Sequence, residues 1–159
     1  MVDGFNILLV NPACQDLRVT DDDAAQVPIG LYTMAALLIE KGFHTDIINL
    51  AAPGRAGHDP IARLRDAVTG EKPALVGFSC TSPSRIHAMA CARHVKQWSP
   101  GTRVVFGGPA PTFLPDFMMA QCPAIDYIVR GEGEYTLLSL ARVLSGSGDP
   151  ETRMLSAID

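Results

Sequence analysis

The stretch VVFGGPAPTFLP, Val104–Pro115, decides how this chain is read. Val104, Val105 and Phe106 suit a strand covered on both faces. They end in the pair Gly107-Gly108, and Pro109 and Pro111 follow at once. A turn alone does not call for paired glycines with flanking prolines. Glycines withdraw side chains from a sheet edge so that backbone can come close to another group, and prolines stiffen the loop so formed.

Working back from this stretch, SPG (99–101) turns the chain into the strand. Before it, a helix capped by Ser82 or Ser84 runs to about Trp98, with Ala88, Cys91, Ala92 and Val95 on one face. ALVGFSC (Ala74–Cys80) is the preceding strand. A shorter helix starts at Asp59-Pro60, buries Ile61, Leu64 and Val68, and is closed by Gly70 and Pro73. HTDIINL (His44–Leu50) is the second strand and FNILLVN (Phe5–Asn11) the first. Between them Leu31, Met34, Ala35 and Leu38 stand at i, i+3, i+4, i+7, with Pro28 at the start and Gly42 as C-terminal cap. Working forward, a helix carries Leu114, Phe117 and Met118 on one face. AIDYIVRG (124–131) is the fifth strand, and a last helix holds Leu137, Leu140, Ala141 and Leu144 in register.

Strand and helix thus alternate about five times. That pattern predicts an α/β fold: a parallel sheet with right-handed crossovers and helices on both faces, a three-layer sandwich. From Ser145 the composition turns to SGSGDPETR, which reads as a linker. The expected organisation is one domain over 1–145 and a linker over 146–159.

The 159 residues suffice for one domain with a real core. With 47% apolar and 19% charged residues, disorder is excluded. The net charge of −4 leaves no electrostatic footprint for nucleic acid. No apolar run approaches the ~20 residues of a membrane helix. The N-terminal run lacks a basic segment and reads as a strand rather than a signal peptide. Cys14, Cys80, Cys91 and Cys122 form no CxxC pair and have no His at ligand spacing. They are expected to be buried thiols in a reducing, cytoplasmic setting. Asp21-Asp22-Asp23 reads as a solvated loop.

In an open parallel sheet, ligands bind beyond the carboxyl ends of the strands. Those positions read NPAC, SCTSPS, GGPAP and RGEGE after the first, third, fourth and fifth strands. Gly107, Gly108, Gly131 and Gly133 leave one edge short of side chains, beside a Ser/Thr-rich third loop. A flavin phosphate cradle or a dinucleotide fingerprint would place its small residues after the first strand, where NPACQDLRV stands. A phospho-acceptor receiver would need an Asp ending the third strand and a Lys after the fifth; here Ser79-Cys80 and Arg130 occupy those places.

At these loops the chain resembles a known family. PIGLYTMAALLIEKGFHTDIINL, VGFSCTS, VVFGGPAPTFLP and DYIVRGEGEYTLLSLARVL are together similar to the N-terminal cobalamin-binding domain of cobalamin-dependent radical S-adenosylmethionine enzymes. That group includes methyltransferases and an anaerobic magnesium-protoporphyrin ester cyclase. The likeness runs from Ile7 to Leu144, and GGPAPT followed by D-x-x-V-x-GEGE carries most of it. The resemblance implies a flavodoxin-like (Rossmann-like) five-stranded sheet, order 2-1-3-4-5, holding cobalamin on its carboxyl edge. It implies that the dimethylbenzimidazole tail enters between the third and fourth strand loops. Ser79 and Thr81 would line the tail pocket, and Gly107, Gly108 and Pro109 would pass its other side. Gly131, Glu132 and Gly133 would close the far rim, with Asn11 and Pro12 on the same ligand-facing edge. Replacing Gly108 by Leu would then remove the cofactor and leave the fold.

Two departures qualify the implication. Well-known cobalamin domains carry a DxHxxG loop after the first strand, whose His binds cobalt. Here NPACQDLRVTDDDAAQ has no His, and the four histidines stand at 44, 58, 87 and 94. The implied cofactor is therefore base-off cobalamin without a histidine ligand, with Gln15, Arg18 or another loop residue beneath the corrin. Second, the family's catalytic domain needs a CxxxCxxC loop for its [4Fe-4S] cluster, and this chain has none. The cluster and S-adenosylmethionine are thus implied only for a missing C-terminal radical SAM domain. No catalytic residue or metal ligand is assigned here, and the fragment alone is expected to be inactive. Glu132 and Glu134 also suit a helix start, where a carboxylate gains about 0.3–1 kcal/mol. Cys80 reads as a wall residue with no activating base. Two other readings use the same residues: a cofactor-free regulatory or partner-binding domain, and a stand-alone corrinoid carrier, against which the absent axial His counts.

Overall fold

The computed structural model describes residues 4–13, 28–51 and 59–147. Five strands, β1 (Asn6–Asn11), β2 (His44–Asn49), β3 (Leu75–Ser79), β4 (Arg103–Gly107) and β5 (Tyr127–Ile128), form one parallel sheet in the order β2-β1-β3-β4-β5. The helices are α1 (Ile29–Glu40), α2 (Pro60–Glu71), α3 (Arg85–Trp98), α4 (Pro109–Phe113), α5 (Pro115–Gln121) and α6 (Glu134–Ser145). This is the flavodoxin-like three-layer sandwich, whose switch point lies between β1 and β3.

The period of two divides the strands between two cores. Leu8, Val10, Val76, Phe78, Val104 and Phe106 face α2, α3 and the buried Met118 of α5. Ile7, Leu9, Leu75, Val105 and Val129 face α1 and α6, where Leu31, Ala35, Leu38, Leu137, Leu138 and Ala141 are buried. Phe78 and Phe106 lie side by side on the first face, ring centres 5.2 Å apart. The small face of α3, Ala88, Cys91, Ala92 and Val95, is buried and brings that helix close to the sheet.

Several local expectations need correction. Gly70 lies inside α2, and Lys72 takes the left-handed conformation that ends it, φ +44°. Asp59 does cap that helix, accepting from the Ile61 N–H at 3.0 Å. Ser84 stands at the start of α3 without capping it: its hydroxyl accepts from the Thr81 N–H at 3.0 Å instead. The segment after β4 is two short helices, because Pro115 begins a new one. Leu114 and Phe117 are exposed there, and Met118 alone of the three is buried. Cys80, Cys91 and Cys122 are buried free thiols; Cys14 lies outside the described residues, as do Asp21-Asp22-Asp23 and residues 148–159. Among the described residues no helix is long and apolar enough to cross a membrane.

β5 pairs over only two residues, so something else must hold its start. Asp126 does so: its Oδ2 accepts from the Val104 N–H at 2.7 Å and meets Lys96 Nζ at 2.6 Å. Both side chains are about four-fifths buried, at 19% and 23% exposure, so water cannot replace either partner cheaply. Asp126→Ala leaves the ammonium and the amide without their carboxylate. The expected loss is about 2 kcal/mol, a fall in melting temperature of about 4–8 °C by calorimetry.

Candidate functional site

Along the face turned to α1 and α6, β3 presents Leu75, Gly77 and Ser79, and β4 presents Val105 and Gly107. Large side chains thus fill the lower part of this face and nearly none fill the upper part. Gly77 pairs with Val105, and Ser79 with Gly107. The missing side chains leave a crevice of about 180 Å³ under the first turns of α1 and α6. Leu9, Gly77 and Val105 form its floor, Leu31, Met34 and Leu137 its helical walls, and Gly131, Glu132 and Gly133 its rim. It opens at the carboxyl edge, beside the switch point, where this topology places its ligands.

Size and lining restrict what can enter. An apolar cavity of about 150 Å³ takes up one benzene, whereas pockets that swallow a drug-sized molecule run to about 300–1,000 Å³. This crevice therefore suits one flat ring system with a larger body outside it. The lining residues are apolar or glycine apart from Ser79, Glu132 and Glu134.

The two glycine loops are tied together. Thr112 donates its hydroxyl to the Gly108 carbonyl at 2.8 Å and accepts the Gly131 N–H at 3.0 Å. Gly108 has a stricter duty. The backbone of Cys80 passes so close that a Cβ on Gly108 would lie 2.8 Å from its carbonyl oxygen, and φ is +101°. This overturns the expectation that Gly108→Leu would spare the fold. At Gly107 the nearest atom to a Cβ is the Val129 oxygen, at 3.9 Å.

Of the residues singled out by sequence, Ser79, Gly107, Gly108, Gly131, Glu132 and Gly133 line the crevice. Asn11 ends β1 on the same face, and the buried Pro12 follows it. Thr81 and Pro109 are exposed on neighbouring loops; the Thr81 and Ser84 hydroxyls bond each other at 3.0 Å. Sequence reasoning missed Gly77, Gly30, Met34 and the tether Thr112. Gly77 had a signal, as a glycine inside an apolar strand, which marks close approach. The others depend on how helices cross the sheet.

Among the described residues no histidine lines the crevice, and His58 lies outside them. His87 is buried within α3, and burial holds its pKa below the ordinary imidazole range. His94 stacks on Trp98, and His44 stands at the opposite, amino end of β2. Burial also pushes the Cys80 and Cys91 thiols up to about 12, so neither is a nucleophile near neutral pH. Among the described residues no group of three His, Cys, Asp or Glu side chains could hold a metal ion.

The family model for the B12 binding domain matches residues 22–141, three-quarters of the chain and all of the crevice except Leu9. The chain belongs to the B12-binding domain family. Within that family it is 33% identical over 141 residues to an uncharacterized methyltransferase of Pyrococcus horikoshii, covering 89% of this chain and 30% of that protein. It is 32% identical over 102 residues to the anaerobic magnesium-protoporphyrin IX monomethyl ester cyclase of Rubrivivax gelatinosus, covering 64% of this chain and 18% of that protein. The B12-binding chain thus spans less than a third of the length of these relatives. Its fold also matches a CheY-like response regulator receiver domain of Methanospirillum hungatei, with a TM-score of 0.55, 15% identity and coverage of 91% and 98% of the two chains. At that identity the likeness concerns the fold alone.

Proposed function

We propose that this B12-binding domain holds base-off cobalamin, with the dimethylbenzimidazole ring in the crevice and the corrin over the carboxyl edge. The observation that carries the reading is the glycine-lined crevice of one-ring size in a chain of this family. Gly77, Gly107 and the Gly131–Gly133 loop would contact the ring faces, and the Ser79 hydroxyl would bond a ring nitrogen. Thr81, Pro109, Asn11 and Pro12 would stand around the mouth. The loop after β1 carries no histidine in its sequence, and this motivates the reading of a cobalt without an imidazole ligand; Gln15 and Arg18 lie outside the described residues. When bound, cobalamin supplies a cobalt centre able to carry a methyl group; the protein supplies position and ligation.

We further propose that the domain, residues 1–145, serves a longer radical SAM protein that transfers a methyl group or closes a ring, with 146–159 as the link. The methyltransferase and the cyclase among its relatives support methyl transfer or ring closure. The surface supports a longer protein: Ile29, Tyr32, Ile86, Phe113 and Tyr135 are large, apolar and exposed around the edge from which the crevice opens. Exposed apolar side chains at the starts of α1, α3 and α6 suit a covering domain.

The test is direct. Methylcobalamin or hydroxocobalamin is added to purified protein, which is desalted and its visible spectrum recorded. Retained absorption of the base-off form is expected. Protein left colourless after saturating cofactor would reject the reading. For the parent enzyme, the expected finding is a reading frame that continues into a CxxxCxxC segment.

A further inference from the structure

Beside the crevice, β1 and β2 end in two asparagines that are register partners, Asn11 and Asn49. Both are part-buried, and the bonds around them determine which way each amide faces. The Ala51 backbone N–H can only donate, and it lies 3.0 Å from one amide atom of Asn49, which must be the oxygen. That same oxygen lies 2.9 Å from the Asn11 amide, so the Asn11 atom facing it must be the nitrogen. The backbone of residue 51 thus sets Asn49, and Asn49 sets Asn11. Asn11 uses one N–H in this chain of bonds. Its oxygen and its second N–H have no partner among the described residues. They stand at the end of β1, one residue past the Val10–Phe78 pair and so level with Ser79 of the crevice.

We infer that Asn49 is a positioning residue, which orients the Asn11 amide to pair with a carboxamide on the periphery of a corrin lying over this edge. The inference rests on the cobalamin reading and adds a second contact region to it. The matching argument is one of donors and acceptors. Asn11 offers one of each, fixed side by side. A primary carboxamide answers both, whereas a phosphate offers only acceptors and would face the Asn11 oxygen unfavourably. Among the parts of cobalamin outside a one-ring crevice, the corrin rim carries the carboxamides.

The experiment measures the Kd for methylcobalamin, alongside thermal melts, in wild type, Asn49→Ala, Asn49→Asp and Asn11→Ala. Asn49→Asp keeps an oxygen for both donors and is expected to bind within about twofold of wild type. Asn49→Ala lets Asn11 turn, and Asn11→Ala removes it; each is expected to weaken binding about three- to ten-fold, the worth of an oriented hydrogen bond. The same loss is expected with cobinamide, which keeps the corrin and lacks the nucleotide arm. If Asn49→Ala melts too early to be measured, Asn49→Leu, of similar size and without the amide oxygen, carries the test. Unchanged Kd in Asn49→Ala, with only a lower melting temperature, would make Asn49 a clip for the strand ends and overturn the inference, whatever Asn11→Ala does. A loss absent with cobinamide would also overturn it, by moving the contact to the nucleotide arm. Failure of wild type to bind would reject the cobalamin reading itself, a separate outcome.

Discussion

Gly107→Leu is expected to abolish cobalamin binding, raising Kd at least 100-fold, about 2.7 kcal/mol, while the protein melts within a few degrees of wild type. Position 107 is the last residue of β4, on the face turned to α1 and α6, and it lines the crevice. A Cβ there meets nothing nearer than 3.9 Å, so the backbone has no reason to move. The isobutyl group then projects into the crevice, the volume proposed for the ring. Covering aliphatic walls such as Val129 and Leu137 offsets part of any strain, since burying apolar surface contributes about 25 cal/mol per Å². Equilibrium dialysis with methylcobalamin and a thermal melt measure both halves of the claim. Normal binding by a folded Gly107→Leu protein would show that the ring does not occupy this crevice.

Gly108→Ala, one residue on, is expected to do the opposite: it damages the fold at the cost of about 3–5 kcal/mol. The methyl group would sit 2.8 Å from the Cys80 oxygen and 3.1 Å from its nitrogen. Neither atom can withdraw easily, because Cys80 N–H donates to the Gly107 carbonyl at 2.8 Å and the Cys80 carbonyl accepts from Ala110 N–H at 3.1 Å. The backbone at φ +101° adds strain for any residue with a Cβ. The fall in melting temperature should be about 6–20 °C. A Gly108→Ala protein that melts like wild type would mean that the crossing of β3 and β4 loops is looser than these contacts require. The two glycines are adjacent in sequence, yet one leaves the crevice open and the other leaves room for the protein's own backbone.

That contrast marks how far sequence alone reached. The strands were legible because continuous apolar runs such as Leu75–Phe78 are bounded by turn residues, and the helices because Leu31, Ala35 and Leu38 recur at helical spacing. The loops rich in glycine were legible as a group at one edge. The split of the α4–α5 segment was not read, although Pro115 announced it, because Leu114, Phe117 and Met118 mimic one apolar stripe. Gly77 carried only the general signal of a glycine inside an apolar strand, and the role of Thr112 was not legible from local pattern. Gly77 matters through Leu9 and Val105 on neighbouring strands, and Thr112 through a hydrogen bond to Gly131, nineteen residues away.

The sequence by itself determined the alternation of strand and helix, the parallel sheet and the edge on which small residues gather. Those follow from short apolar runs, the 3.6-residue helical period and the turn residues between them, which are local. Only the tertiary structure decided where the hollow lies. A hollow forms where small residues on adjacent strands fall on one face in one register, as Gly77, Ser79 and Gly107 do beneath α1 and α6. Register between β3 and β4 joins residues some 28 positions apart, and no local pattern encodes that alignment.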